Sequence, residues 1–239
     1  MIDLSKYAGQ AVKNRIKGLG IELEGAWRNT PRGGMEITRD GSLDVWRAPQ
    51  DAIAKGEIPS PVLQVGDEVS NWLKSYYPHY CDHPRCAMHV HMSVGDHFRY
   101  QQVMQPEYML TVIHYLTEWA KKENFPPGHH IWDRLEGRVE YCKPIFDADR
   151  QVRMRTKGFD HDTPGNRYTA INYAWDRLRT FECRLLPMMP TVEQAERAVV
   201  ELVDITNKFL LATARTEKKV RGEVAIDGGP EVRESITII

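Results

Sequence analysis

Three short segments of this chain repeat one device. In Gly20-Ile-Glu-Leu-Glu-Gly25, Met88-His-Val-His-Met-Ser-Val94 and Phe181-Glu-Cys-Arg-Leu185, apolar and polar residues alternate one by one. Successive side chains of a β-strand point to opposite faces, so each segment, as a strand, sorts its residues into two sets. Ile21, Leu23, Met88, Val90, Met92, Val94, Phe181, Cys183 and Leu185 form the set to be buried. Glu22, Glu24, His89, His91, Ser93, Glu182 and Arg184 form the opposite set. The solvent face of an ordinary sheet is rich in Thr, Lys, Ser and Gln. A face of carboxylates, imidazoles and a guanidinium can instead hold divalent metal and phosphate. Glu22 and Glu24 would stand about 7 Å apart along their strand.

Each piece alone has a plainer reading. Glu22 and Glu24 could be an exposed strand face, Glu57 a surface edge residue, and Glu182 with Arg184 a surface ion pair of small worth. His89 and His91 could be a satisfied pair or a zinc site. His79, Cys81, His83 and Cys86 offer four possible zinc ligands, but their spacing matches no common finger. Recurrence of one pattern on three strands is what favours a shared site.

The rest of the chain supplies helices and turns. Residues 33–38, running into Asp40-Gly41, read as a strand entering a turn, a hairpin partner or near neighbour of 18–27. Glu57 to Leu63 contains Pro59 and Pro61, which suits a sheet edge. Residues 66–77 and 107–122 have helical spacing. From Glu123 to about Gly165 the clusters PPGHH and HDTPGN mark loops, suited to covering an active site. Tyr168 to Pro187 should hold one or two strands, the second being Thr180 to Leu186. Thr191 and Gln194 form a capping box opening a helix that runs to about Arg215. In the tail, Asp227-Gly228-Gly229 could turn a hairpin, or the apolar end could serve an interface.

The expected fold is α+β: a twisted, mainly antiparallel sheet with helices packed on one face. At 239 residues, 41% of them hydrophobic, the chain can bury one sizeable core, and residues 1–239 are read as a single domain. Its 32 basic and 33 acidic residues nearly cancel, so no global field draws it to nucleic acid or a membrane. The N-terminus has no apolar run after its charges, and no later stretch has the uncharged length to span a bilayer. The expectation is a cytoplasmic protein whose four cysteines are reduced. No Gly-x4-Gly-Lys-Ser/Thr loop occurs, and no Gly-x-Gly-x-x-Gly follows a strand, which disfavours P-loop and Rossmann enzymes.

The same residues carry a family resemblance. Met88-His-Val-His-Met-Ser resembles the Gly-Met-His-x-His-x-Ser strand of glutamine synthetases. Glu22-Leu-Glu24 is similar to their metal-binding Glu-x-Glu, and Phe181-Glu-Cys-Arg-Leu-Leu-Pro to their late Glu-x-Arg-Phe-Pro strand. Gly56-Glu-Ile-Pro-Ser-Pro61, Asp40-Gly-Ser-Leu43 and Arg167-Tyr-x3-Asn172 look more like the glutamate-cysteine ligase branch and its small amidoligase relatives. The motifs keep their order over roughly residues 18 to 207. Two departures stand out: Ala87 replaces a usual Gly, and Pro84-Arg85 replaces the Asn-Gly with which glutamine synthetases help to hold glutamate.

What the resemblance implies is a glutamine synthetase-like catalytic domain and an ATP-dependent carboxylate-amine ligase working with Mg²⁺ or Mn²⁺. Glu22, Glu24, Glu57, His89 and Glu182 would be metal ligands, and Arg184 would stabilise the transferred phosphoryl group. His91 and Ser93 would lie along the nucleotide. Asp40 would serve the amine pocket as a base, Arg167 the substrate carboxylate, and Asn172 a supporting role. A lid from residues 124 to 165 would keep water off an acyl phosphate. The substrates would be small-molecule or peptide acids and amines, with nucleic acid only as a modified nucleotide, and a homo-oligomer is compatible. A guanidino or carboxyl phosphotransferase and a non-catalytic Mg-nucleotide binder are the alternative functions.

Overall fold

Ile21, Leu23, Met88, Val90, Met92, Phe181 and Cys183, the apolar half of the alternating segments, are all fully buried. They lie on one face of a single sheet. The computed structural model describes residues 1–31, 33–144, 169–174 and 178–220, without the side chains of Tyr173 and residues 215–220. Among these, the strands are β1 (Gly18–Trp27), β2 (Ala54–Pro59), β3 (Met88–Ser93), β4 (Ile171–Ala174) and β5 (Thr180–Cys183). They form a five-stranded sheet in the order β2-β1-β3-β5-β4, antiparallel at every step. Directly opposite residues share a face. Ile21 pairs with Val90, Val90 with Cys183, and Cys183 with Ile171, giving one apolar row across four strands. Burying each such side chain contributes about 1.5–3 kcal/mol before conformational entropy is counted.

The described helices are α1 (Asp67–Tyr76), α2 (His97–Val103), α3 (Pro106–Lys122), α4 (His130–Leu135) and α5 (Val192–Val220). Helices α3 and α5 cover the apolar face. Tyr108 of α3 meets Phe181 and Phe209 edge-on at 5.5 and 5.0 Å, and its hydroxyl pairs with Thr206 Oγ1 at 2.7 Å. Helices α1 and α2 pack along α5 in the same layer. Thr191 caps α5 by accepting from the Gln194 N–H at 3.2 Å. The return half of the expected box is absent, since Gln194 Oε1 is buried with no hydrogen-bond partner among the described residues.

The structure redraws several boundaries. Residues 33–38 are not a strand. Gly33 and Gly34 adopt φ of 111° and 76°, which breaks extended pairing, and only Thr38 bridges, to Glu57. The neighbours of β1 are therefore β2 and β3 rather than a hairpin from 33–38. The edge strand starts at Ala54, earlier than expected, and after Pro59 only Leu63 bridges back, to Leu19. Helices α2 and α4 were not foreseen. Each has a side-chain cap: Asp96 accepts from the Arg99 N–H at 2.8 Å, and His129 Nδ1 accepts from the Ile131 N–H at 3.3 Å. Helix α4 and the turns after it occupy the first part of the expected lid, whose remainder, 145–165, lies outside the described residues with Arg167 and the Asp227–Gly229 turn. No helix among the described residues is long and apolar enough to cross a membrane.

Candidate metal and phosphate site

The antiparallel register sets the polar half of the pattern in a diagonal row. Glu24 stands opposite Glu57, Glu22 opposite His89, His91 opposite Glu182, and Glu182 opposite Asn172. The row forms the floor of a cavity of about 640 Å³, with Asp40, Arg85, Arg134, Tyr141 and Arg184 on its walls. Asp40 comes from outside the sheet. It precedes a short 3-10 turn, Gly41–Leu43, and its carboxylate is anchored by the Ser42 N–H at 2.8 Å and the Ser42 hydroxyl. The 36–40 segment reaches this point because Glu57 and Thr38 exchange two backbone hydrogen bonds, both 2.9 Å. Gly56 makes that approach possible: a Cβ there would lie 2.0 Å from the Thr38 carbonyl oxygen.

Two groups of metal-type donors result. Ligand atoms of Glu22, His91 and Glu182 lie within 4.8 Å of one another, and so do those of Glu24, Asp40 and Glu57. His89, expected as a ligand, lies buried between the groups: Nδ1 is 3.2 Å from both Glu22 Oε2 and Glu182 Oε1, and Nε2 is 3.7 Å from Glu24 Oε1. His91, expected along a nucleotide, joins the first group. Its Nδ1 is 3.4 Å from Thr180 Oγ1; its Nε2 is buried 3.2 Å from Glu22 Oε1 but makes no hydrogen bond. Ser93 is on the same face further along β3 and is not among the cavity's lining residues.

Electrostatics separates the carboxylates. Burial pushes Glu22 up, but the imidazoles of His89 and His91 outweigh it and hold Glu22 well below the ordinary range. Glu182, also penalised by burial, is held low by Arg184 and then the two imidazoles. In the other group burial wins. Glu24 is raised well above the ordinary value by burial and by Asp40, and Glu57 is pushed up to about 7 by burial, Glu22 and Asp40. Carboxylates crowded without a cation shift in this direction. Burial pulls His89 down and Arg184 adds to it, whereas His91 is raised because Glu22 and Glu182 outweigh its burial.

Arg184 is locked in place. Nη1 donates to Glu182 Oε1 at 2.6 Å and Nε to the Tyr141 carbonyl at 3.3 Å. Asn172 Nδ2 donates to the other Glu182 oxygen at 2.9 Å. Sequence reasoning missed Arg134, which is 2% exposed and donates to the carbonyls of Arg184 and Pro84. A signal existed: in His130-Ile-Trp-Asp-Arg-Leu135, Ile131, Arg134 and Leu135 share one helical face, so a lone Arg joins an apolar stripe.

The zinc alternative loses its geometry. Among the described residues, the ligand atoms of His79, Cys81, His83 and Cys86 do not gather. Cys81 Sγ donates to the Met189 carbonyl, His83 stacks on Trp46, and His79 Nδ1 accepts from the Arg28 N–H. Comparison of the chain with family models, curated proteins and solved structures finds no match.

Proposed function

We propose that this chain is an ATP-dependent carboxylate-amine ligase that works with two divalent cations, Mg²⁺ or Mn²⁺. The observation that carries the reading is the pair of donor groups, Glu22–His91–Glu182 and Glu24–Asp40–Glu57, on the floor of one cavity beside Arg184. The donor chemistry fits. Carboxylate oxygens with one imidazole suit these hard cations. The buried Nε2 of His91, 3.2 Å from Glu22 Oε1 without a hydrogen bond, and the raised carboxyls of Glu24 and Glu57 suit a site where a cation would stand among them. Held by these residues, such cations would supply positive charge that offsets the charge developing on the phosphates and the leaving group.

The chain's own residues do the rest. A carboxylate is a poor electrophile, and phosphoryl transfer from ATP activates it as an acyl phosphate. Arg184, held by Glu182 and the Tyr141 carbonyl, presents fixed N–H donors to the transferring phosphoryl group at no reorganisation cost. Asp40, the donor that does not belong to the sheet, accepts the proton of the ammonium nucleophile. The order of motifs shared in resemblance with glutamine synthetases and glutamate-cysteine ligases supports the same reading. The test is ATP turnover with Mg²⁺ or Mn²⁺ across pooled amino acids, peptides and polyamines, following phosphate release and product mass, with Glu22→Gln as control. Amine-dependent turnover that the control abolishes is expected; phosphate release indifferent to any amine would overturn the reading in favour of a phosphotransferase or hydrolase.

A further inference from the structure

We propose that Arg85 is the specificity-determining residue of the cavity, binding a second carboxylate of the acid substrate, remote from the carboxylate that reacts. The identity of this anion as part of an activated acid rests on the ligase reading; the anion site itself does not.

The argument begins with charge. The cavity holds Glu22, Glu24, Glu57, Glu182 and Asp40, and two of its arginines are already committed: Arg184 to Glu182, and Arg39 to Asp44 at 2.6 Å. Arg85 has no carboxylate partner among the described residues. A guanidinium carries five N–H donors in a planar fork. One, from Nη1, goes to the Ser42 carbonyl at 2.9 Å, and the Arg85 plane lies over the Tyr141 ring at 4.8 Å.

Its surroundings are rigid. The Arg85 and Cys86 N–H groups donate to His83 Nδ1 and to the His83 carbonyl, and the His83 ring stacks on Trp46 at 5.4 Å. Arg134, itself buried, grips the Pro84 carbonyl at 3.2 Å. A half-buried cation fixed by its loop and stacked on an aromatic ring loses little freedom on binding an anion. It also offsets the repulsion that five carboxylates impose on an anionic substrate.

Position selects the acid. Arg85 Nη1 donates to the carbonyl of Ser42, whose N–H and hydroxyl hold the Asp40 carboxylate, so the guanidinium stands at the Asp40 end of the donor row, where the ligase reading places bond formation. An acid with one carboxylate at the reacting centre and another at Arg85 is a dicarboxylate, an acidic amino acid or a peptide with a free carboxyl terminus.

The experiment is calorimetric binding to the full chain, with Mg²⁺ and a non-hydrolysable ATP analogue, of succinate, glutarate, adipate and L-glutamate, each beside its monoamide. The wild type should bind at least one diacid more tightly than its monoamide. Arg85→Gln should erase that preference, weakening the diacid by about tenfold to a hundredfold, the worth of a hydrogen bond to a charged group. Arg85→Lys should keep part of it. Unchanged Mn²⁺ and ADP affinities in Arg85→Gln would show that its site is folded. The proposal is overturned if no diacid is preferred by the wild type, if Arg85→Gln keeps the preference, or if that variant loses ADP instead. Hydroxamate formation from the same acids with hydroxylamine and Mg-ATP separates the two readings. An Arg85-dependent preference without hydroxamate leaves the anion site standing and removes the ligase; hydroxamate with a preference indifferent to Arg85 does the reverse.

Discussion

Arg134 Nη1 donates to the main-chain carbonyl of Arg184 across 2.9 Å, so one buried guanidinium holds the strand end that carries another. Through Nη2 the same residue holds Pro84, next to Arg85. Replacing Arg134 with Met removes a buried charge, which is favourable, but leaves two carbonyls without these donors at about 1–3 kcal/mol each. The second effect outweighs the first, because one side chain serves both carbonyls at once. Arg134→Met should lose about 2 kcal/mol and melt about 4–8 °C lower. An unchanged melting curve would remove Arg134 from the framework of the site.

Arg184→Ala should lower turnover by roughly a hundredfold to a thousandfold, the usual cost of one preorganised donor to a developing charge. Because the substitution also strips Glu182 of its partner, a stability measurement must accompany it. Arg184→Lys keeps the charge but not the fork, and should stay well below wild type. Normal turnover in a folded Arg184→Ala protein would sink the assignment.

Metal affinity should fall toward acid pH. With Glu57 at about 7 and His91 raised above its ordinary value, both carry protons near pH 6 that a cation must displace. Each released proton weakens apparent binding by up to about tenfold per pH unit below its pKa. Mn²⁺ titrations at pH 6 and 8 should differ accordingly, with the weaker binding at pH 6. Glu57→Gln should reduce the slope by one proton, and a wild-type affinity flat across this range would contradict the shift.

Gly56→Val should separate the two donor groups. Its Cβ would collide with the Thr38 carbonyl and force the 36–40 segment off β2, taking Asp40 with it. Glu22, His91 and Glu182 lie on β1, β3 and β5, away from that edge. Mn²⁺ stoichiometry should drop from two to one while the first site remains. Two sites of unaltered affinity would show that Asp40 is not needed.

What was legible in the sequence was whatever depends on a local period. The alternation at 20–25, 88–94 and 181–185 assigned each residue to a face, and every apolar member is buried where that alternation puts it. The helices at 66–77 and 107–122 followed from spacing in the same way, and so did the start of α5 from Thr191. Residues 33–38 failed because two glycines with positive φ overrode a strand-like pattern.

Strand order and register are long-range choices, and they made a site of the polar faces. The sequence by itself determined that Glu22, Glu24, His89, His91, Glu182 and Arg184 would face away from the core, since pleating is a property of the strand alone. Only the tertiary structure decided that they divide into two donor groups, with His91 in one, Asp40 in the other and His89 between. That division comes from strand pairing and from a loop crossing the sheet edge over Gly56. Arg134 and Arg85 are the clearest cases. What a guanidinium does is set by the carbonyls and rings around it, and those come from segments far apart in the chain.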